Sequence, residues 1–238
     1  QNQLMTAAQS LAGWTIAWDL DGTLVDSAPD LVRALNLILA EEGLPAAPLQ
    51  EARDFVGHGA RALINRAMIA AGRPDLPDPQ LDALTDRFIE HYAADIAAHT
   101  RFFPGVLEIL DSLSAHGATH AVCTNKRTGL SVQLLTELGA ADRFAAIFGA
   151  DSASRKKPDP AHLFEAVAAA NGDASRMIMV GDSRTDSGAA RGAGAPFILV
   201  SFGYPAEALD GIPHDVLAHS AQDIAAACFH FAAATQSQ

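Results

Sequence analysis

The chain has 238 residues, with 28 acidic against 16 basic side chains, a formal charge of −12, and 49% hydrophobic against 18% charged residues. This shortage of Lys and Arg excludes a basic nucleic-acid platform, which needs a clustered cationic surplus to neutralise phosphates. The hydrophobic share excludes a disordered composition and is enough for a sizeable core.

Five short hydrophobic runs, rich in Val, Ile, Phe or Trp, each stop at a polar or Gly-containing turn. In chain order they are Trp14–Trp18, His120–Cys123, Ala145–Phe148, Met177–Val180 and Phe197–Val200. Runs of this length bounded by turn residues predict strands buried on both faces. Between them lie segments with helical spacing: Val106, Ile109, Leu110 and Leu113; Leu130, Leu134, Leu135 and Leu138; Leu163, Val167 and Ala170. The alternation predicts an α/β fold, a doubly wound parallel sheet with helices on both sides.

One segment breaks the alternation. From about Ala28 to Thr100 only helix-like patterns occur, carried by Leu31, Leu35, Ile38 and Leu39, by Leu63, Ile64 and Ala67, and by Leu81, Leu84, Phe88 and Ile89. Breakers separate them at Gly43–Pro48 and Gly72–Pro79. The expectation is a core over 11–27 and 101–238 with an inserted helical cap over 28–100. Arg191-Gly192-Ala193-Gly194 lacks a dinucleotide-binding pattern and predicts a helix C-terminus, and Gln222–Ala234 predicts a surface helix.

Cys123 and Cys228 are too few and too far apart for a disulfide framework or a thiolate metal site, so both are expected to be reduced core residues of a cytoplasmic protein. No stretch reaches the ~18 uninterrupted apolar residues of a membrane span. The opening Gln1-Asn2-Gln3 lacks the cationic start of a secretory signal. Neither a membrane nor nucleic acid is an expected partner.

The chemistry concentrates at strand ends. Asp19-Leu20-Asp21-Gly22-Thr23 follows the first strand, and carboxylates at i and i+2 of an extended chain project to one side as crowded like charges that call for a cation. Gly22 permits a sharp exit from the strand. The second strand ends in Thr124-Asn125-Lys126, a hydroxyl, an amide and an ammonium suited to phosphate oxygens. After the third comes Arg155-Lys156-Lys157-Pro158-Asp159-Pro160, and after the fourth Gly181-Asp182-Ser183-Arg184-Thr185-Asp186. In an open α/β sheet such ends converge on one crevice.

These four stations resemble the haloacid dehalogenase superfamily of aspartyl phosphotransferases: a strand then DxDGT, a strand then Ser/Thr, a Lys, and a strand then GDxxxD. The resemblance covers essentially the whole chain, the cap between the first two stations included. Asp26-Ser27-Ala28-Pro29-Asp30-Leu31, Val56-Gly57-His58-Gly59-Ala60 and Lys157-Pro158-Asp159-Pro160 are similar to phosphoglycolate phosphatases in particular. Trp18 stands where that family usually has Phe, a change expected to alter packing more than chemistry.

The resemblance implies a Mg2+-dependent phosphomonoesterase working through an aspartyl-phosphate, with a small-molecule phosphate ester, 2-phosphoglycolate by preference, as its substrate. It implies Asp19 as nucleophile and Asp21 as acid/base. Mg2+ would sit among Asp19, the backbone carbonyl of Asp21 and Asp182. Lys157 would supply positive charge at Asp19, Thr124 and Asn125 would hold phosphate oxygens, and Asp186 would orient Lys157 or a metal-bound water. Several alternatives stay open. Lys156 neighbours Lys157, although Lys157 precedes the proline as in the family pattern. Lys126 is either a phosphate or substrate contact or an exposed strand-end lysine, and His58 either faces the site or starts a helix. His116, His120, His162 and His214 lack paired ligand spacing and are expected on the surface or in the core. The substrate carboxylate would need a cation or N–H donors brought by the cap, with Arg53, Arg61 and the Gly57–Gly59 loop as candidates. Rival readings are another phosphate ester or sugar phosphate, a phosphoglucomutase, a dehalogenase and a non-catalytic binding module. Dehalogenase relatives lack the acid/base Asp at the place of Asp21. A Schiff-base phosphonate hydrolase is disfavoured because no lysine occurs between Ala28 and Thr100. The expected assembly is a monomer or homodimer.

Overall fold

A computed structural model of the chain describes residues 10–50, 59–204 and 208–235. Six parallel strands form one sheet in the order β5-β4-β1-β6-β7-β8: β1 (Thr15–Trp18), β4 (Thr119–Cys123), β5 (Ala146–Phe148), β6 (Met177–Gly181), β7 (Phe197–Val200) and β8 (Val216–Ala218). The central strand β1 pairs Ala17 with Ala121 of β4 on one side and with Met179 of β6 on the other. Alternate residues serve the two faces. Ile16, Trp18, Val122, Ile178 and Val180 join one apolar layer, while Ala17, Cys123, Met177, Met179 and Phe197 join the other. Burial on both faces is why these strands read as continuous apolar runs. β8 has only three consecutive apolar residues, Val216–Ala218, between Asp215 and His219, a run too short to read as a strand.

Helices α4 (Val106–Ala115), α5 (Thr128–Glu137), α6 (Pro160–Ala169), α7 (Arg184–Ala193) and α8 (Ala221–Thr235) flank the sheet. α8 is not merely a surface helix, since Ile224, Ala227 and Cys228 are buried in the main core. α7 ends as expected at Gly194, whose φ of 68° closes the helix in the left-handed region. No described helix is long and apolar enough to cross a membrane.

Trp18 is buried, and its indole N–H donates to His120 Nδ1 at 3.1 Å, while His120 Nε2 lies 3.0 Å from the Leu110 carbonyl. Burial holds the imidazole below its ordinary pKa, so it stays neutral with the proton on Nε2. The extra polar atom of Trp18 is therefore matched by a core histidine. His162 is also buried, whereas His116 lies at the surface against Phe229.

Between Trp18 and the resumption of the core lie α1 (Ala28–Glu41), α2 (Ala60–Ala70) and α3 (Asp78–Ala94), the helical cap. Leu31, Leu35, Ile38, Leu63, Ile64, Leu84 and Phe88 are buried as the helical spacing predicts. The chain leaves and re-enters the core through a two-residue antiparallel ribbon, β2 (Val25–Asp26) with β3 (Arg101–Phe102), too short for any periodic signal. Asp30, fully buried at the base of α1, staples the return: one oxygen accepts from His99 N at 2.9 Å, Thr100 N at 2.7 Å and Thr100 Oγ1 at 2.7 Å.

Candidate active site

The carboxyl ends of β1, β4 and β6 are adjacent in the sheet, so Asp19, Thr124 and Asp182 emerge side by side. The loop after β5 adds Lys157. All four line one cavity of about 440 Å3, roofed by Leu31, Leu63, Phe88, Ile89 and Tyr92 of the cap. Lys157 is almost wholly buried, with Nζ 3.0 Å from Asp19 Oδ1 and 2.5 Å from Asp186 Oδ1. Lys156 also lines the cavity but is exposed.

The backbone around Lys157 is held as firmly as its ammonium. Its N–H donates to His162 Nδ1 at 3.2 Å, and its carbonyl accepts from Asn125 Nδ2 at 3.0 Å. Desolvation and the nearby Lys157 charge push the His162 pKa down to about 4, so the imidazole remains a neutral acceptor for that N–H. Asn125 thus fastens the Lys157 loop as well as facing the cavity.

Asp186 caps α7. Its second oxygen accepts from Ser183 N at 3.1 Å and Ser183 Oγ at 2.5 Å in a capping box. With both oxygens committed, it positions Lys157. Asp182 accepts from Tyr204 N at 2.7 Å and is pressed between Gly22 and Gly203, where any added Cβ would collide with it. Gly22 also has φ of 83°, so the first station requires glycine for both space and conformation.

Carboxylate oxygens of Asp19, Asp182 and Asp186 lie within 4.8 Å of one another. Burial drives the Asp19 pKa from 3.8 up to about 6 despite Lys157, and raises Asp182 well above its ordinary value, with Asp19 and Asp186 adding repulsion. Counting Asp21, four carboxylates face two ammonium groups, those of Lys126 and Lys157. A hard divalent cation fits this all-oxygen donor set and removes that imbalance.

Asp21, which lines the same cavity, has partners of its own. Ser27 Oγ donates to Oδ1 at 2.5 Å, and Lys126 Nζ reaches Oδ1 and Oδ2 at 2.9 and 3.0 Å. Lys126 is not an exposed strand-end lysine: its side chain is 7% accessible, and Nζ also donates to Tyr92 Oη of α3 at 2.9 Å. Thr124 is buried, and its Oγ1 accepts the Lys126 N–H at 3.2 Å. Gly59 lines the cavity at the start of α2 with φ of 85°. Gly57, His58 and Arg53 lie outside the described residues. Arg61 also lines the cavity, but its guanidinium is engaged by Asp78 and Asp82 on the exposed side of the cap.

Sequence reasoning singled out neither Tyr92 nor Tyr204. Tyr92 continues the apolar stripe of Leu81, Leu84 and Phe88 at helical spacing and reads as core. Tyr204 follows a Gly-containing turn, and its links to Asp182, to Asp26 and to the Ala28 N–H join segments remote in sequence.

A family model described as haloacid dehalogenase-like hydrolase matches residues 16–200. A phosphoglycolate phosphatase of Caulobacter vibrioides is 50% identical over 224 residues, 94% of each chain. One of Agrobacterium fabrum is 47% identical over 79% of this chain and 80% of the relative. The crystal structure of a predicted phosphoglycolate phosphatase from Haemophilus somnus 129pt superposes with a TM-score of 0.80 at 30% identity, covering 92% of this chain and 97% of that one. From the strand-end carboxylates to the helical roof, the chain belongs to the haloacid dehalogenase-like hydrolases.

Proposed function

We propose that the protein is a Mg2+-dependent phosphoric monoester hydrolase that cleaves 2-phosphoglycolate through an aspartyl-phosphate on Asp19. The observation that carries this reading is the gathering of Asp19, Lys157, Asp182 and Thr124 at one cavity beneath the cap, with Asp21 held beside them. Relatives bearing the phosphoglycolate phosphatase name at up to 50% identity support 2-phosphoglycolate as the substrate.

Asp19, the backbone carbonyl of Asp21 and Asp182 would hold Mg2+, and when bound the ion offsets the repulsion between an anionic nucleophile and an anionic ester. Asp19 attacks phosphorus in line as the bond to the glycolate oxygen breaks. Lys157 stabilises the charge that builds on the transferring group, and the Thr124 hydroxyl with neighbouring N–H groups holds its equatorial oxygens. Asp21, aligned by Ser27 and Lys126, gives its proton to the departing oxygen and then takes one from the water that cleaves the aspartyl-phosphate. The cap excludes bulk water from the cavity and so strengthens each of these electrostatic contacts.

Steady-state assays over a panel of phosphate esters test the reading. The expected result is turnover abolished by a chelator, restored by Mg2+, and highest in kcat/KM for 2-phosphoglycolate. A kcat/KM no better for it than for hexose phosphates would remove this substrate while leaving the chemistry in place.

A further inference from the structure

The proposed substrate carries a carboxylate as well as its phosphate, and burying that second charge requires a partner. The cap was the expected source of a cation, yet Arg61, the cavity-lining cap cation among the described residues, is engaged by Asp78 and Asp82. The cap residues Leu31, Leu63, Phe88 and Ile89 that line the cavity are apolar. Of the other lining cations, Lys157 is committed to Asp19 and Asp186 on the phosphate side, while Arg127 and Lys156 are exposed at the rim.

Lys126 is paired as well, with Asp21, but it is the lining cation that lies beside the carboxylate serving the leaving group and reaches the roof at Tyr92. Its ammonium donates to Asp21 Oδ1, Asp21 Oδ2 and Tyr92 Oη and lies 4.5 Å from the centre of the Tyr92 ring, so it offers an incoming anion its charge and a shared hydrogen, while Tyr92 offers a hydrogen of its own. Tyr92 is 1% exposed and lines the same cavity. Its hydroxyl accepts from Lys126, and among the described residues no protein acceptor takes the hydroxyl hydrogen. Burial raises the phenol to about 12, so that hydrogen stays in place. A buried O–H donor without an acceptor, beside a buried ammonium and facing a cavity, forms a ready-made seat for an anionic oxygen.

Covalent geometry puts a carboxylate at that seat. The leaving oxygen must come within about 3 Å of Asp21 to receive its proton. In a 2-phospho-carboxylate, the carboxylate oxygens lie within about 4 Å of the leaving oxygen, because only two carbons separate them. Lys126 Nζ is itself 2.9–3.0 Å from the Asp21 oxygens, so a group tethered this closely to the leaving oxygen falls within its reach.

We infer that Lys126 and Tyr92 together read the substrate carboxylate, the core supplying the cation and the cap a hydroxyl donor, so that the site prefers phosphate esters with a carboxylate on the carbon bearing the phosphate. This inference rests on the proposed function and adds the residues that select the substrate. It also gives cap closure a chemical role, because the seat is complete only when α3 of the cap meets the strand end of β4.

The test compares 2-phosphoglycolate with ethyl phosphate, which has the same two-carbon skeleton without the carboxylate, in wild type, Lys126→Met and Tyr92→Phe. Both variants are expected to lower the ratio of kcat/KM values, by about 30-fold for Lys126→Met, which loses a charge-assisted contact, and by about fivefold for Tyr92→Phe, which loses a neutral donor. The loss falls mainly on KM for 2-phosphoglycolate. Tyr92→Phe keeps the ring stacked on Phe88, so it remains informative if Lys126→Met fails to fold. Glycolate binding by isothermal titration provides a readout without turnover and is expected to weaken in the same order. If wild type does not favour 2-phosphoglycolate over ethyl phosphate, the proposed function and this inference fall together. If wild type favours it and both variants keep that preference while both esters slow equally, the inference alone fails, and Lys126 serves only to align Asp21.

Discussion

Replacing Asp19, the proposed nucleophile, should stabilise the protein while abolishing its turnover. Asp19 is a carboxylate whose ionised form is disfavoured in the folded chain, its pKa rising from 3.8 to about 6 because burial outweighs the attraction of Lys157. The sign is opposite to that of a typical salt-bridged Asp. Without metal, stability is highest where Asp19 is protonated, falls as pH rises from about 4 to about 6, and stays lower above that. The shift corresponds to a penalty of about 3 kcal/mol at pH 7.5. Asp19→Asn keeps the size of the side chain, removes the charge, and relieves Asp182, whose own pKa is raised partly by Asp19. In EDTA at pH 7.5 the variant is expected to melt roughly 5–10 °C above wild type, with the gap closing below about pH 4. Saturating Mg2+ should shrink it at pH 7.5, because the ion stabilises the form that binds it better. Turnover of any phosphate ester should be lost. Differential scanning calorimetry across pH, with and without metal, reads all of this. A variant that melts below wild type in EDTA at pH 7.5 would show that pairing with Lys157, and not desolvation, governs Asp19, and would refute the reasoning.

Lys157→Met leaves Asp19 and Asp186 facing each other without a buried cation, so metal-free stability should fall by about 3–5 kcal/mol in urea unfolding, and turnover should drop at least about a thousandfold. Trp18→Phe removes the donor to His120 Nδ1 in a fully buried position. It should cost about 1–3 kcal/mol by chemical denaturation while leaving kcat within twofold, since neither ring reaches the cavity. Asp30→Ala strips the acceptor from His99 N, Thr100 N and Thr100 Oγ1 where the chain returns from the cap. A loss of about 3 kcal/mol is expected, with faster hydrogen exchange at the Thr100 amide than at the amides of β1.

Much of this protein is written locally. Strands β1, β4, β5, β6 and β7 lie in largely apolar runs of four or more residues, so they are visible as letters, and the ends of β1, β4 and β6 mark Asp19, Thr124 and Asp182 without coordinates. Gly22 is legible too, because a chain leaving a strand at positive φ against a carboxylate tolerates no side chain. The cap helices carry their own periodicity. β2, β3 and β8 do not, since their apolar stretches reach at most three residues and impose no pattern.

What the tertiary structure alone decided is how charges and donors meet across long sequence separations. Lys126 looks like any strand-end lysine until α3 places Tyr92 against it, 34 residues earlier in the chain. His120 looks like a stray polar residue until it accepts from Trp18, 102 positions away. Arg61 looks like a free cap cation until Asp78 and Asp82 engage it. Backbone preference and burial periodicity act over a few residues and are encoded by neighbours. Electrostatic pairing depends on distance in space and on the surrounding dielectric, so it is settled only once the fold has brought the partners together and removed the water between them.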